Sequence, residues 1–137
     1  MKITQEADYA LRVVLYLSGL EFGERVEAKK IAEVLGLSQR FLLKFLTKLT
    51  AINVIKSYRG TNGGYALARV PEEINMKEVI EAIDGPICVN RCLTDISLCT
   101  GGKNHKCKLH KAFVKVQRDL ANDLESITFK DLIDDNF

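Results

Sequence analysis

Apolar residues recur at helical spacing from the start of the chain. Ala7, Ala10, Leu11, Val14, Leu15 and Leu17 follow Thr4, a residue type that can cap a helix by accepting a backbone N–H. The pattern predicts an amphipathic helix over residues 5–20, ended by Gly19 and Gly23. A short helix follows over residues 27–35, with Ala28, Ile31, Ala32 and Leu35 inward and Gly36 as its stop. Ser38 can cap a third helix from Gln39 to Ile52, with Phe41, Leu42, Phe45, Leu46 and Leu49 on its buried stripe. Short helix, glycine turn and capped helix is the order of a helix-turn-helix, whose second helix enters the major groove of duplex DNA.

Residues 54–67 then read as two short strands around the glycine-rich turn Arg59-Gly60-Thr61-Asn62-Gly63-Gly64, a wing. Asn75 with Glu78 three residues on has the form of a capping box for a helix from Met76 to Ile83, closed by Gly85-Pro86. Residues 87–107 keep no period and carry Asn90, Gly101, Gly102 and Asn104; a loop this long in a small domain has a ligand to bind or no fixed structure. The longest helix runs from Lys108 to Ile127, with Leu109, Phe113, Val116, Leu120 and Leu124 on one stripe. Thr128 caps a last turn over residues 129–134.

These elements give a mainly α fold with a small β wing: a winged helix-turn-helix, a cysteine-rich loop and a long helix whose apolar stripe is wide enough both to pack on its own domain and to pair two copies. The expected divisions of this one compact domain are residues 1–86 for DNA binding, 87–107 for the loop and 108–137 for dimerisation.

Charge sharpens the first of these. Residues 1–70 carry 11 Lys/Arg against 6 Asp/Glu, whereas residues 71–137 carry 9 against 12. Between Glu33 and Glu72 there is no acid, only Arg40, Lys44, Lys48, Lys56, Arg59 and Arg69. An anionic partner is implied. The expected DNA contacts are Ser38, Gln39, Arg40, Phe41, Lys44 and Lys48 from the third helix and Arg59 and Gly60 from the wing, on a palindromic duplex operator read by a homodimer.

No apolar run reaches the roughly eighteen residues of a membrane span, and the first residues lack a signal-peptide core. A cytoplasmic protein without membrane partners is expected. In that reducing setting Cys88, Cys92, Cys99 and Cys107 read as metal ligands or redox sensors rather than disulfides. Six residues separate Cys92 from Cys99, seven separate Cys99 from Cys107, and two separate Cys107 from His110. Three thiolates and an imidazole suit an iron-sulfur cluster or a tetrahedral zinc, and the lack of paired CxxC knuckles weighs against zinc. No Ser/His/Asp set, phosphate loop or paired-carboxylate pattern stands out, so no enzyme is expected.

Met1-Lys2-Ile3-Thr4, Asp8-Tyr9-Ala10-Leu11-Arg12, the wing Arg59-Gly60-Thr61-Asn62-Gly63-Gly64-Tyr65, Arg91-Cys92, Cys99 and Cys107-Lys108-Leu109-His110 together resemble the IscR and NsrR family. Its members are bacterial homodimeric winged-helix regulators that carry an iron-sulfur cluster. The resemblance implies that Cys92, Cys99 and Cys107 hold the cluster, a 2Fe-2S centre in IscR-like members, with His110 as fourth ligand. In NsrR-like members an aspartate of the partner subunit's first helix completes the set, and Asp8 occupies that place. The cysteine gaps here exceed the five residues usual in IscR-like members, and Cys88 is a further candidate thiol. Where some IscR-like proteins place a glutamate that discriminates between operators, this chain has Leu43. The implied function is repression of iron-sulfur assembly genes under control of cluster occupancy. The alternatives are a nitric-oxide-sensing repressor of the same family, a cluster-free redox or sulfur-metabolism regulator, and, in another class, a small iron-sulfur electron carrier, against which the acid-free stretch argues.

Overall fold

The capping residues fix where most of the helices begin. In the computed structural model, which describes residues 2–101 and 106–137, the Thr4 hydroxyl accepts the Ala7 N–H and α1 runs Gln5–Ser18. Helix α2 spans Ala28–Leu35 and ends on Gly36, whose φ of 66° is a left-handed conformation that glycine adopts without steric cost. The Ser38 hydroxyl accepts the Phe41 N–H and starts α3, Gln39–Ala51. That helix stops one residue short of the predicted Ile52 because Asn53 turns left-handed at φ 58°.

Strands β1, Ile55–Tyr58, and β2, Gly64–Leu67, pair antiparallel with Ile55 opposite Leu67 and Tyr58 opposite Gly64. The Asn75–Glu78 capping box opens α4, Met76–Asp84. After the cysteine segment come α5, Lys108–Ser126, and α6, Phe129–Asp134, the latter opened by a second capping box between Thr128 and Asp131. The predicted irregular loop holds two short 3-10 turns, Arg91–Leu93 and Ile96–Leu98; Gly102 and Asn104, with Met1, lie outside the described residues.

One core unites α1, α2, α3 and the base of the wing: Val13, Val14, Ile31, Leu42, Phe45, Leu46, Leu49, Val54 and Ile55 are essentially inaccessible. Val13 takes an inward place on α1, and Leu15 faces out. The chain's last helix returns to this core. Met76 donates its N–H to the Ile127 carbonyl and Phe129 donates to Ile74, so the starts of α4 and α6 lie side by side and the Phe129 ring is fully buried. Asp84 reaches back to the Thr4 N–H and hydroxyl and pins the end of α4 to the start of α1.

The expected stripe of α5 is only half covered. Leu124 is buried and Leu120 half-buried in a small cluster with Ile80 and Ile87, but Leu109 is 68% and Val116 49% exposed. The second half of α5 packs on α4, whereas the first half lies over the cysteine loop. Among the described residues no helix is long and apolar enough to cross a membrane.

Candidate functional site

The basic surface is built by the α2–α3 turn and the wing. Gly36 lets the chain reverse, the Leu37 N–H closes on the Ala32 carbonyl, and α3 leaves Gln39, Arg40, Leu43 and Lys44 exposed. Two other expected contact residues also make contacts within the chain. Phe41 is half-buried, its ring edge-on to Phe45 at 4.7 Å and to Tyr9 at 5.8 Å between centroids, so it braces α3 on α1. The Lys48 ammonium donates to the Ile83 carbonyl at 3.4 Å, at the end of α4.

Arg69 is half-buried and paired within its own chain. Its guanidinium donates to the Asn53 and Glu73 carbonyls at 3.0 and 2.8 Å and to Glu78 Oε2 at 2.7 Å. It ties the wing's exit to the capping box of α4, work that charge counting does not separate from DNA binding.

At the wing, Arg59 and Gly60 are exposed on the turn, with Gly60 at φ 98° and its carbonyl accepting the Gly63 N–H. A Cβ at Gly63 would come within 2.6 Å of the Tyr58 carbonyl, so the turn needs glycine there. One residue at this surface carries no sequence signal: Arg25, in the α1–α2 connection, lies with its guanidinium 3.7 Å from the centre of the Tyr58 ring. Its segment has no periodicity, and only the fold brings it to the wing.

The cysteine segment forms the second centre. Cys92, Cys99, Cys107 and His110 all line one cavity of about 310 Å³ under the start of α5. The four side chains are half-buried. Cys92 Sγ lies 3.5 Å from His110 Nδ1, and Cys107 is the residue immediately before α5. Leu109 and Phe113 add apolar walls. Among the described residues no three His, Cys, Asp or Glu side chains converge tightly enough to hold a metal ion. Three thiols and an imidazole are donors that suit a thiophilic centre.

Cys88 is held apart from this set. Its thiol lies 3.1 Å from the Asn90 carbonyl and 2.9 Å from the Thr94 hydroxyl, beside a smaller cavity of about 170 Å³ that Lys2 and Asp84 also line. Asp8, on α1, accepts from Arg12 at 2.9 Å and does not line the larger cavity of its own chain.

Two hydrogen bonds tie the loop's entry to the helices around it. The Ile87 N–H donates to Glu81 Oε1 on α4 at 3.2 Å, and the Val89 N–H donates to Gln117 Oε1 on α5 at 3.0 Å. At the start of the loop's second 3-10 turn, the Asp95 carboxylate accepts the Ser97 N–H at 2.9 Å, and hydrogen bonding to Ser97 holds its pKa below the usual carboxylate value.

Solved structures of known proteins share this fold. CymR (YrzC), the global cysteine regulator of B. subtilis, is 25% identical with a TM-score of 0.79 over 98% of this chain and 97% of that one. T. potens IscR is 28% identical with a TM-score of 0.73, covering 100% of this chain and 89% of that chain. Staphylococcus aureus CymR in its oxidized form is 25% identical with a TM-score of 0.73, over 97% and 96% of the two chains. The family model for Rrf2, described as an iron-dependent transcriptional regulator, matches residues 3–135. With a winged helix and a family match over nearly its whole length, the chain belongs to the Rrf2 family of transcriptional regulators.

Proposed function

We propose that this chain is a homodimeric repressor in the cytoplasm whose hold on a palindromic operator changes with occupancy of an iron-sulfur cluster at Cys92, Cys99, Cys107 and His110, and that it governs iron-sulfur assembly genes. The observation that carries this reading is the single cavity onto which three thiols and an imidazole open. A bound 2Fe-2S centre would supply reversible redox chemistry and a lability that reports cluster supply. The chain's own residues do the rest.

Cys92 and His110 already face each other, and Cys107 stands at the first turn of α5. Drawing Cys99 toward them fixes the loop and that first turn together. Glu81 and Gln117 fasten the loop's entry to α4 and α5, and α4 offers the Ile83 carbonyl to Lys48 of the DNA-facing helix. A change in the loop thus reaches α3 through direct bonds. In two copies, exposed Leu109 and Val116 pair across a two-fold seam that sets the spacing of the two recognition helices. The partner's first helix could bring Asp8 to the centre in place of His110.

A second reading, a cluster-free regulator of sulfur metabolism, is favoured by the absence of three converging donors among the described residues and by the likeness to a cysteine regulator. Anaerobic reconstitution with iron and sulfide separates the two. The cluster reading expects brown protein whose visible absorbance bands vanish in the Cys92/Cys99/Cys107→Ala triple variant, and a shift in DNA affinity between loaded and unloaded wild type. Colourless protein overturns the cluster, and colourless protein that retains zinc tightly converts the site to a structural metal.

A further inference from the structure

The wing is held by more than its own two strands. Val26 exchanges both backbone hydrogen bonds with Tyr65, N–H to carbonyl at 2.9 Å and the reverse at 2.8 Å, so the α1–α2 connection adds a one-residue third strand beside β2. Gly64 makes this approach possible, since a Cβ there would stand 2.7 Å from the Val26 carbonyl. Arg25, the preceding residue, covers the Tyr58 ring at the end of β1 and donates from Nη1 to the Asn62 carbonyl in the turn at 3.3 Å. Two consecutive residues of the connection therefore grip both strands and the turn.

Glu24 and Glu27 lie one and two residues from Arg25, yet among the described residues Arg25 forms no salt bridge with either. Its guanidinium is committed to the wing. A two-stranded hairpin with four residues a side is at best marginally stable in water. We infer that Arg25 is a positioning residue for DNA binding: by stacking on Tyr58 and bonding to Asn62 it holds the wing in its binding-competent place, so that Arg59 meets the duplex without a prior ordering step. A wing populated only part of the time in that place lowers apparent affinity by that fraction.

The inference rests on the reading that the wing meets DNA, and the test keeps the two apart. Binding of the full chain to a labelled mixed-sequence duplex is measured across a salt series. Arg59→Ala should weaken binding and lower the salt slope by about one unit, as expected for one lost phosphate contact. Arg25→Ala and Tyr58→Leu should each weaken binding by about three- to tenfold, the scale of a cation–π contact with one hydrogen bond, at unchanged salt slope. The double variant should be no weaker than either single one, and Tyr58→Phe, which keeps the ring, should bind as wild type. Without DNA, trypsin should cut after Arg59 faster in Arg25→Ala and Tyr58→Leu than in wild type.

An Arg59→Ala variant that binds normally overturns the wing reading and the inference with it. Normal binding or unchanged cleavage in Arg25→Ala and Tyr58→Leu, beside a weakened Arg59→Ala, overturns the brace alone. A lowered salt slope in Arg25→Ala makes Arg25 a phosphate contact, and strictly additive losses dissolve its coupling to Tyr58; either result removes the positioning role.

Discussion

The winged-helix half and the cysteine half of this molecule are finished to different degrees. Around Phe45 and Leu46 the side chains are buried and the helix starts at Thr4, Ser38 and Asn75 are capped by their own side chains. Around Cys92 the thiols are half-buried, the backbone proceeds in short 3-10 turns, and the apolar Leu109 above them is 68% exposed. A region complete within one chain can fold alone and stay constant while it reads DNA. A region with donors lining a cavity and an apolar face turned outward is the one whose state would depend on the cluster and the second copy proposed above.

The largest test of this contrast is thermodynamic. Phe45→Ala removes a ring packed between Phe41 and Tyr9 and should cost about 3–5 kcal/mol of folding stability. Leu109→Ala should stay within about 0.5 kcal/mol in protein dilute enough to keep copies apart, as for other surface changes, while Leu109→Glu should shift sedimentation from dimer toward monomer. Urea unfolding followed by circular dichroism reads both stabilities. A Leu109→Ala loss as large as that of Phe45→Ala would mean that the cysteine half has a core of its own.

The same contrast explains what the sequence could reveal. Caps, glycine stops and hydrophobic periodicity act within a few residues, so the helix starts at Gln5, Gln39, Met76 and Phe129, and the wing between Ile55 and Leu67, are legible in the letters alone. The gathering of Cys92, Cys99, Cys107 and His110 at one cavity was legible as a spacing. What periodicity cannot say is how much of a stripe is covered: Leu109 and Leu124 share one face of α5, and only the tertiary path leaves one exposed and buries the other. Nor does charge say which cations face outward. Lys48 and Arg69 bond to backbone carbonyls of their own chain, while Arg25, in a stretch without pattern, reaches the wing.

A smaller effect should appear where the two halves join. Gln117→Ala removes the acceptor of the Val89 N–H at the entry to the cysteine loop. A lost hydrogen bond of this kind is worth about 1 kcal/mol, so exchange of the Val89 amide should quicken about fivefold. The amides of α3 should exchange as before if the loop opens independently of the winged helix. Acceleration across α3 as well would show that the halves open as one unit, and would move control of DNA binding from a local rearrangement to the stability of the whole fold.

The smallest expected effect concerns α6, which follows the cysteine half in sequence but packs with the winged helix in space. The Asp131 carboxylate accepts the Thr128 N–H at 2.9 Å and its hydroxyl at 2.8 Å, and the Asn136 amide at 3.4 Å. The backbone bond from Thr128, followed by the Thr128 and Asn136 side chains, holds its pKa below the ordinary carboxylate value. A group whose pKa is lowered by folding stabilises the native state fully above its unfolded value, and that contribution is lost as pH falls through the lowered native value. Asp131→Asn should therefore lower the thermal midpoint slightly near neutral pH, with the difference shrinking as acid titrates the wild-type carboxylate. Because Phe129 is buried with Val79 and Leu17, the loss should appear in the same cooperative transition that Phe45→Ala shifts. A separate, earlier transition would instead assign α6 to the cysteine half and move the boundary between the two regions.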